Sequence, residues 1–96
     1  METGVEIIAK ERKRQIEELG YDYTHDHLYA NEQLAKAASV YALPEKLRHL
    51  SFFSFASIWP WDLRYWKPTP QDRVRELAKA GALIAAQIDY ELAKEK

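Results

Sequence analysis

The chain has 96 residues, 47% of them hydrophobic and 30% charged, with a net charge of −1 and no cysteine. That balance belongs to one small globular domain spanning residues 1–96 and excludes a disordered chain. The near-neutral charge argues against a protein that coats DNA or RNA. The lack of cysteine removes disulfide scaffolds, thiolate metal sites and cysteine nucleophiles.

A first helix is predicted from Gly4 to Leu19. Thr3 and Glu6 have capping-box spacing, and Gly20 suits the position after the helix. At about 100° per residue, Val5, Ile8, Ala9, Ile16 and Leu19 share one face with Arg12 at its centre, while Glu11, Gln15 and Glu18 form the adjoining flank. Residues 21–30 read as a polar, aromatic loop. A second helix is predicted from an Asn31 cap to about Leu43, with Leu34, Ala37, Ala38 and Tyr41 inward. Pro44 ends it and opens a short turn through His49.

Residues 51–68 hold Phe52, Phe53, Phe55 and all three tryptophans. The alternation at Phe53, Phe55 and Ser57 would give a strand with no partner, so irregular structure packed on the helices is expected. A third long helix is predicted to about Ala93, with Thr69 as cap, Pro70 in the first position and Asp72 in the third. Val74, Leu77, Ala78, Gly81, Ile84, Ala85, Ile88 and Leu92 line one face; Ala82, Leu83 and Ala86 make the back apolar too. A helix apolar nearly all round is buried on two sides. The back is then either a contact between copies through small residues or a surface covered by the aromatic segment. The fold class is all-α: three main helices with an aromatic-rich irregular segment closing the core.

Several residues carry possible chemistry. Arg12 on an apolar stripe needs a carboxylate, carbonyls or a bound anion; the structural partners open to it are Glu32, Asp26 and Glu76, and the functional one is a phosphate. His25-Asp26-His27 lacks the fourth ligand of a zinc site. Glu11, Glu18, Asp26 and Glu32 could converge on Mg²⁺ or be ordinary solvated charge. Trp59, Trp61, Trp66 and Lys67 lead into a helix start that carries Arg73, Arg75 and Lys79. Aromatic faces for a base and cations at a helix N-terminus for phosphate are two halves of a nucleotide pocket; the alternative is a hydrophobic plug with a solvated rim. No phosphate-binding glycine loop, zincin motif or serine-hydrolase elbow is present.

Taken in order, Glu11-Arg12-Lys13-Arg14-Gln15-Ile16, Gly20-Tyr21, His25-Asp26-His27, Glu32 to Ala42, Trp59 to Pro68 and Arg75 to Ile88 resemble a family of small phage and prophage proteins. Its run is ERxRQI, G[WY], HDD, ELAxAAxxYA, WPWxxxWWKP and RxLxKAGALIxAEI. Most members are called hypothetical proteins, and some carry a MazG-like dATP/dGTP diphosphohydrolase label. The resemblance implies a phage protein acting in the host cytoplasm on nucleotides. MazG-type enzymes bind Mg²⁺ through an ExxE pair and a later ExxD pair; this chain has neither, and Lys79 stands where a ligand would follow Glu76. The family's second loop aspartate is His27 here.

The expectation is therefore a homo-oligomeric protein that binds a phosphorylated nucleotide-type ligand without cofactor, metal, nucleic acid or membrane, sequestering a nucleotide immune signal as a counter-defence. Trp59, Trp61 or Trp66 would stack on the base. Arg12, Lys67, Arg73 and Lys79 would hold phosphate, with Gln15, Asp26, Glu32 and Tyr41 orienting them or reading polar edges. The enzymatic alternative is Mg²⁺-dependent pyrophosphohydrolysis on Glu11, Glu18, Asp26 and Glu32. A further alternative is an inhibitor that grips a host protein through exposed aromatics. The N-terminus lacks a signal peptide's charged and apolar regions, and no run approaches the roughly 18–20 apolar residues of a membrane span.

Overall fold

The computed structural model describes residues 1–19, 32–49 and 55–94. The protein is all-α, with no strand among the described residues. Helix α1 spans Gly4–Leu19, α2 Gln33–Ala42, the single turn α3 Glu45–Arg48, and α4 Arg73–Lys94. Two 3₁₀ turns, Phe55–Ser57 and Leu63–Tyr65, punctuate the aromatic segment. No helix is long and apolar enough to cross a membrane.

Helix α1 starts as its sequence dictates. The Glu6 amide donates to Thr3 Oγ1 (3.2 Å), and the Thr3 amide donates back to Glu6 Oε1 (2.9 Å). The start of α2 is built differently from expectation. Asn31 and its loop, including Asp26, lie outside the described residues, and Glu32 precedes the helix in the left-handed region (φ 61°) with no side-chain cap. A first-turn amide is satisfied from another helix instead: Ala35 N–H donates to Gln87 Oε1 of α4 at 3.1 Å. Helix α4 is capped by Asp72, not Thr69. Asp72 Oδ1 accepts the Arg75 amide (3.1 Å), and the Asp72 amide closes a turn onto the Thr69 carbonyl (2.8 Å), leaving Pro70 in that turn and outside the helix.

Helix α4 is the axis of the molecule, with α2 and α1 packed against it. Leu34, Ala37, Ala38, Val40 and Tyr41 of α2 meet Ala80, Leu83 and Ala86 of α4, and Trp59 seals the cluster with Phe55, Ile58, Trp61, Trp66 and Tyr90 around it. The side of α4 carrying Leu83 and Ala86 is filled within the chain by α2 and the aromatic segment, and Ala82 beside them is fully buried in the same single chain. The reading of that side as a contact between copies is thereby corrected. The face with the larger side chains is the exposed one: Val74, Leu77, Ile84, Ile88 and Leu92 are each between 46% and 60% exposed.

Helix α1 docks with little apolar burial. Val5 and Ile16, expected inward, are exposed, whereas Glu11 and Gln15 of the flank are buried. The reason is charge: Glu11 meets guanidinium groups that neutralise it, so the polar flank can turn inward. The close point of the packing is Gly81, where an added Cβ would lie 2.5 Å from Ile8 Cδ1 and 2.8 Å from Ile8 Cγ1. Gly81→Val is expected to push α1 off its seat at a cost of about 1–3 kcal/mol, read as a lower denaturant midpoint; a midpoint equal to wild type would show that Ile8 simply rotates away.

The end of α2 is held by two arginines. Arg48 Nε donates to the Val40 carbonyl (3.2 Å) and its Nη2 to the Tyr41 carbonyl (3.0 Å). Arg73 Nη1 donates to the carbonyls of Tyr41 (3.0 Å) and Leu43 (3.4 Å), and its Nη2 to that of Ala42. These are the carbonyls a helix leaves without intrahelical partners. Buried Glu76 neutralises both cations, accepting from Arg48 at 3.0 and 3.2 Å and from Arg73 at 3.1 Å, and takes the Thr69 amide at 3.0 Å.

Candidate functional site

The tryptophan segment folds back on itself and presents one side to α1. Trp59 Nε1 donates to the Asp62 carbonyl (3.2 Å), and Asp62 Oδ1 accepts the Arg64 amide (2.9 Å), which fixes the Trp-Pro-Trp-Asp bend. Trp61 Nε1 donates to Gln33 Oε1 of α2 (3.2 Å). The Lys67 amide donates to Tyr41 Oη (3.1 Å), tying the far end of the segment to the core. Trp59 stands edge-on to Tyr41, Trp61 and Trp66 at ring separations of 5.7, 5.4 and 5.2 Å. This is a packed aromatic cluster and not a flat exposed patch.

Between α1, α4 and this segment lies a pocket of about 280 Å³, lined by Glu11, Arg14, Gln15, Tyr41, Trp59, Trp61, Tyr65, Lys67, Arg75, Lys79 and Leu83. Four cations and one carboxylate therefore line it. The carboxylate is fully engaged: Glu11 accepts from Arg14 at 2.8 and 2.9 Å and from Arg75 at 2.6 Å. Burial alone would raise the Glu11 carboxyl, but the hydrogen bonds and charge of Arg14 and then Arg75 outweigh it and hold it below its usual range. The guanidinium groups are only about a third exposed. Lys79 reaches into the same space, donating to the Lys67 carbonyl (2.8 Å) with its ammonium 5.4 Å from the Tyr41 ring centre. Burial, followed by the charge of Arg75, pushes the Lys79 ammonium below its usual value. An anion in the pocket would offset the repulsion between Lys79 and Arg75.

Gln15 adds a directional feature. It is buried; its Nε2 donates weakly to Glu11 Oε2 (3.5 Å), and its Oε1 has no hydrogen-bond partner among the described residues. A buried acceptor left unmatched costs free energy that a ligand N–H or O–H would recover.

Of the residues singled out from sequence, Gln15, Tyr41, Trp59, Trp61, Lys67 and Lys79 come together here. Four do not. Arg12 turns the other way and pairs with Asp89 of α4 at 2.9 Å, a partner 77 positions away that none of the expected pairings included. Arg73 is occupied with the α2 carbonyls and Glu76. Trp66 packs between Tyr41 and Phe55 (4.7 and 5.1 Å) under the Arg48 guanidinium, as a wall of the core. Glu32 is exposed and lies outside the pocket lining. Sequence reasoning missed Arg14, Tyr65 and Leu83 as pocket residues, named Arg75 among the cations of the helix start without giving it a phosphate role, and placed Glu11 only in the metal alternative. The available signal was the i, i+3 spacing of Glu11 and Arg14, which puts the pair on one helix flank.

The carboxylates of the hydrolase alternative are not assembled among the described residues. Glu11 is committed to Arg14 and Arg75, Glu18 lies 3.5 Å from the same Arg14, and no group of three or more His, Asp or Glu side chains that could hold a metal ion occurs there. No known protein family, curated protein or solved structure matches this chain.

Proposed function

We propose that this pocket binds a small phosphorylated ligand carrying an aromatic base, of the nucleotide type. The observation that carries the reading is one pocket lined by Arg14, Lys67, Arg75 and Lys79 (two of which neutralise Glu11), by Trp61 and Tyr65, and by Gln15 with its unmatched Oε1. Cations held in a partly buried site attract phosphate more strongly than solvated ones. Half-exposed Tyr65 and half-buried Trp61 offer ring faces for a base, while buried Trp59 forms the floor. Gln15 Oε1 would accept from an exocyclic amine or a ribose hydroxyl. At about 280 Å³ the pocket lies just below the roughly 300–1,000 Å³ of ligand sites, so the reading limits it to one nucleotide unit. Joined to the resemblance to small phage proteins, the reading is a phage-encoded binder that withholds a nucleotide signal from the host. Commitment of Glu11 to two guanidinium groups favours binding over metal-dependent hydrolysis.

The test titrates the protein with adenosine and guanosine monophosphates, cyclic dinucleotides and pyrophosphate, followed by calorimetry. Trp61→Ala is expected to weaken nucleotides about ten- to a hundredfold while sparing pyrophosphate, the usual worth of base–aromatic stacking. Lys67→Ala is expected to weaken both about tenfold. Folded variants that bind every ligand as wild type does would contradict the reading.

A further inference from the structure

Helix α4 carries a second pattern that its own chain leaves unused. Val74, Leu77, Gly81, Ile84 and Ile88 recur at alternating steps of three and four, the spacing of a helix-pairing seam. Among the described residues, Ile8 of α1 sits against the Gly81 position. The other four are exposed: Val74 60%, Leu77 46%, Ile84 49% and Ile88 53%. Leu92 continues the stripe at 53%, and Val5 and Ile16 of α1 add 79% and 40%. An apolar groove lined by Gly4, Ile7, Ile8, Val74, Leu77 and Ala78 runs into it.

We infer that this face is the contact between two copies of the chain. The exposed side chains of α4 together with Val5 and Ile16 present on the order of 700 Å² of largely apolar surface, above the roughly 300–600 Å² of the largest patch on a typical monomer and close to the ~800 Å² per partner of a standard interface. The stripe is aliphatic along its seam positions, so a second copy turned about a two-fold axis meets like with like, as an isologous contact requires. Ridges at three and four residues interlock at the shallow crossing angle of paired helices. The charged pair on this side of α1 and α4, Arg12 and Asp89, is joined at 2.9 Å. The cationic pocket uses Arg75, Lys79 and Leu83 of α4 and Glu11, Arg14 and Gln15 of α1, none of them a seam residue, so the inference stands whatever the pocket binds.

The experiment compares wild type with Ile84→Glu and with Ile84→Cys. Light scattering after gel filtration is expected to give wild type twice the 11.2 kDa chain mass and Ile84→Glu a folded species of one chain mass, with helix content checked by circular dichroism. Because the chain has no cysteine of its own, Ile84→Cys supplies a single thiol and is expected to oxidise to a disulfide-linked pair, whereas Lys13→Cys on exposed α1 surface is not. The cysteine arm reads the contact even if the glutamate variant does not fold. Wild type at one chain mass across the micromolar range, or equal crosslinking of the two cysteine variants, would overturn the inference.

Discussion

Glu76→Ala is expected to destabilise the protein by about 3–5 kcal/mol, the cost of stranding a buried charge. Glu76 is 1% exposed and is the counter-charge for Arg48, itself 3% exposed. Removing it leaves the Arg48 guanidinium buried beside the α2 carbonyls with no carboxylate and frees the Thr69 amide at the turn into α4. A small domain has only about 5–15 kcal/mol in total, so the variant should sit near its unfolding threshold at room temperature. Replacing the whole pair by Arg48→Met with Glu76→Leu should not rescue it fully, because the Val40 and Tyr41 carbonyls then lose Arg48 as a donor. Urea unfolding followed by circular dichroism measures both; a loss below 1 kcal/mol in Glu76→Ala would refute the assignment. The same groups set the acid limb. Burial alone would raise the Glu76 carboxyl, but Arg48 and Arg73 hold it below the usual 4.5, and Glu11 is likewise lowered. A carboxylate lowered on folding stabilises fully above its unfolded value and loses that contribution as pH falls through the folded value. The contribution of these two carboxylates should therefore be flat above about pH 5 and decline below 4.5, and this decline should shrink in Glu76→Gln.

Trp59→Ala is expected to cost about 3–5 kcal/mol, the range for truncating a buried large aromatic. Trp59 is 6% exposed, stands edge-on to three other rings and anchors the Trp-Pro-Trp-Asp bend through its indole N–H. Trp61→Ala, at a half-buried ring that donates to Gln33 and meets Trp59, should cost appreciably less. Thermal melts of the two variants side by side distinguish a plug from a platform. If both lose the same stability, the division of labour drawn between floor and stacking face is wrong.

The helices and the inward stripe of α2 were legible in the sequence; the faces of α1 and α4 were not. The Thr3–Glu6 box and the limits of α1 follow from local chemistry that the fold keeps. The inward faces of α1 and α4 are decided by partners far along the chain: Glu11 by Arg75, 64 positions away, and Arg48 by Glu76, 28 positions away. Periodicity weighs a charged residue as solvent-facing and has no access to the ion that neutralises it. The same blindness made Arg12 look like the anomalous buried arginine, when Arg48 is the more buried one. On α4 the large aliphatics attracted the assignment of the core face, yet the alanines take it because a close helix contact needs small residues. At the pocket, the aromatics and Lys67, Arg75 and Lys79 were readable because they are clustered along the chain; Arg14, and its meeting with Arg75 on Glu11, were not, since that depends on how α1 crosses α4.

The most direct test of the central claim is calorimetric titration of wild-type protein with nucleoside monophosphates and cyclic dinucleotides at low and at high salt. Saturable binding with one ligand per pocket, weakened by salt as expected for a cation-lined site and stronger than that of pyrophosphate, is the predicted result. No heat and no change in tryptophan emission with any nucleotide at millimolar concentration would contradict it, leaving the four cations as a scaffold for Glu11 and nothing more.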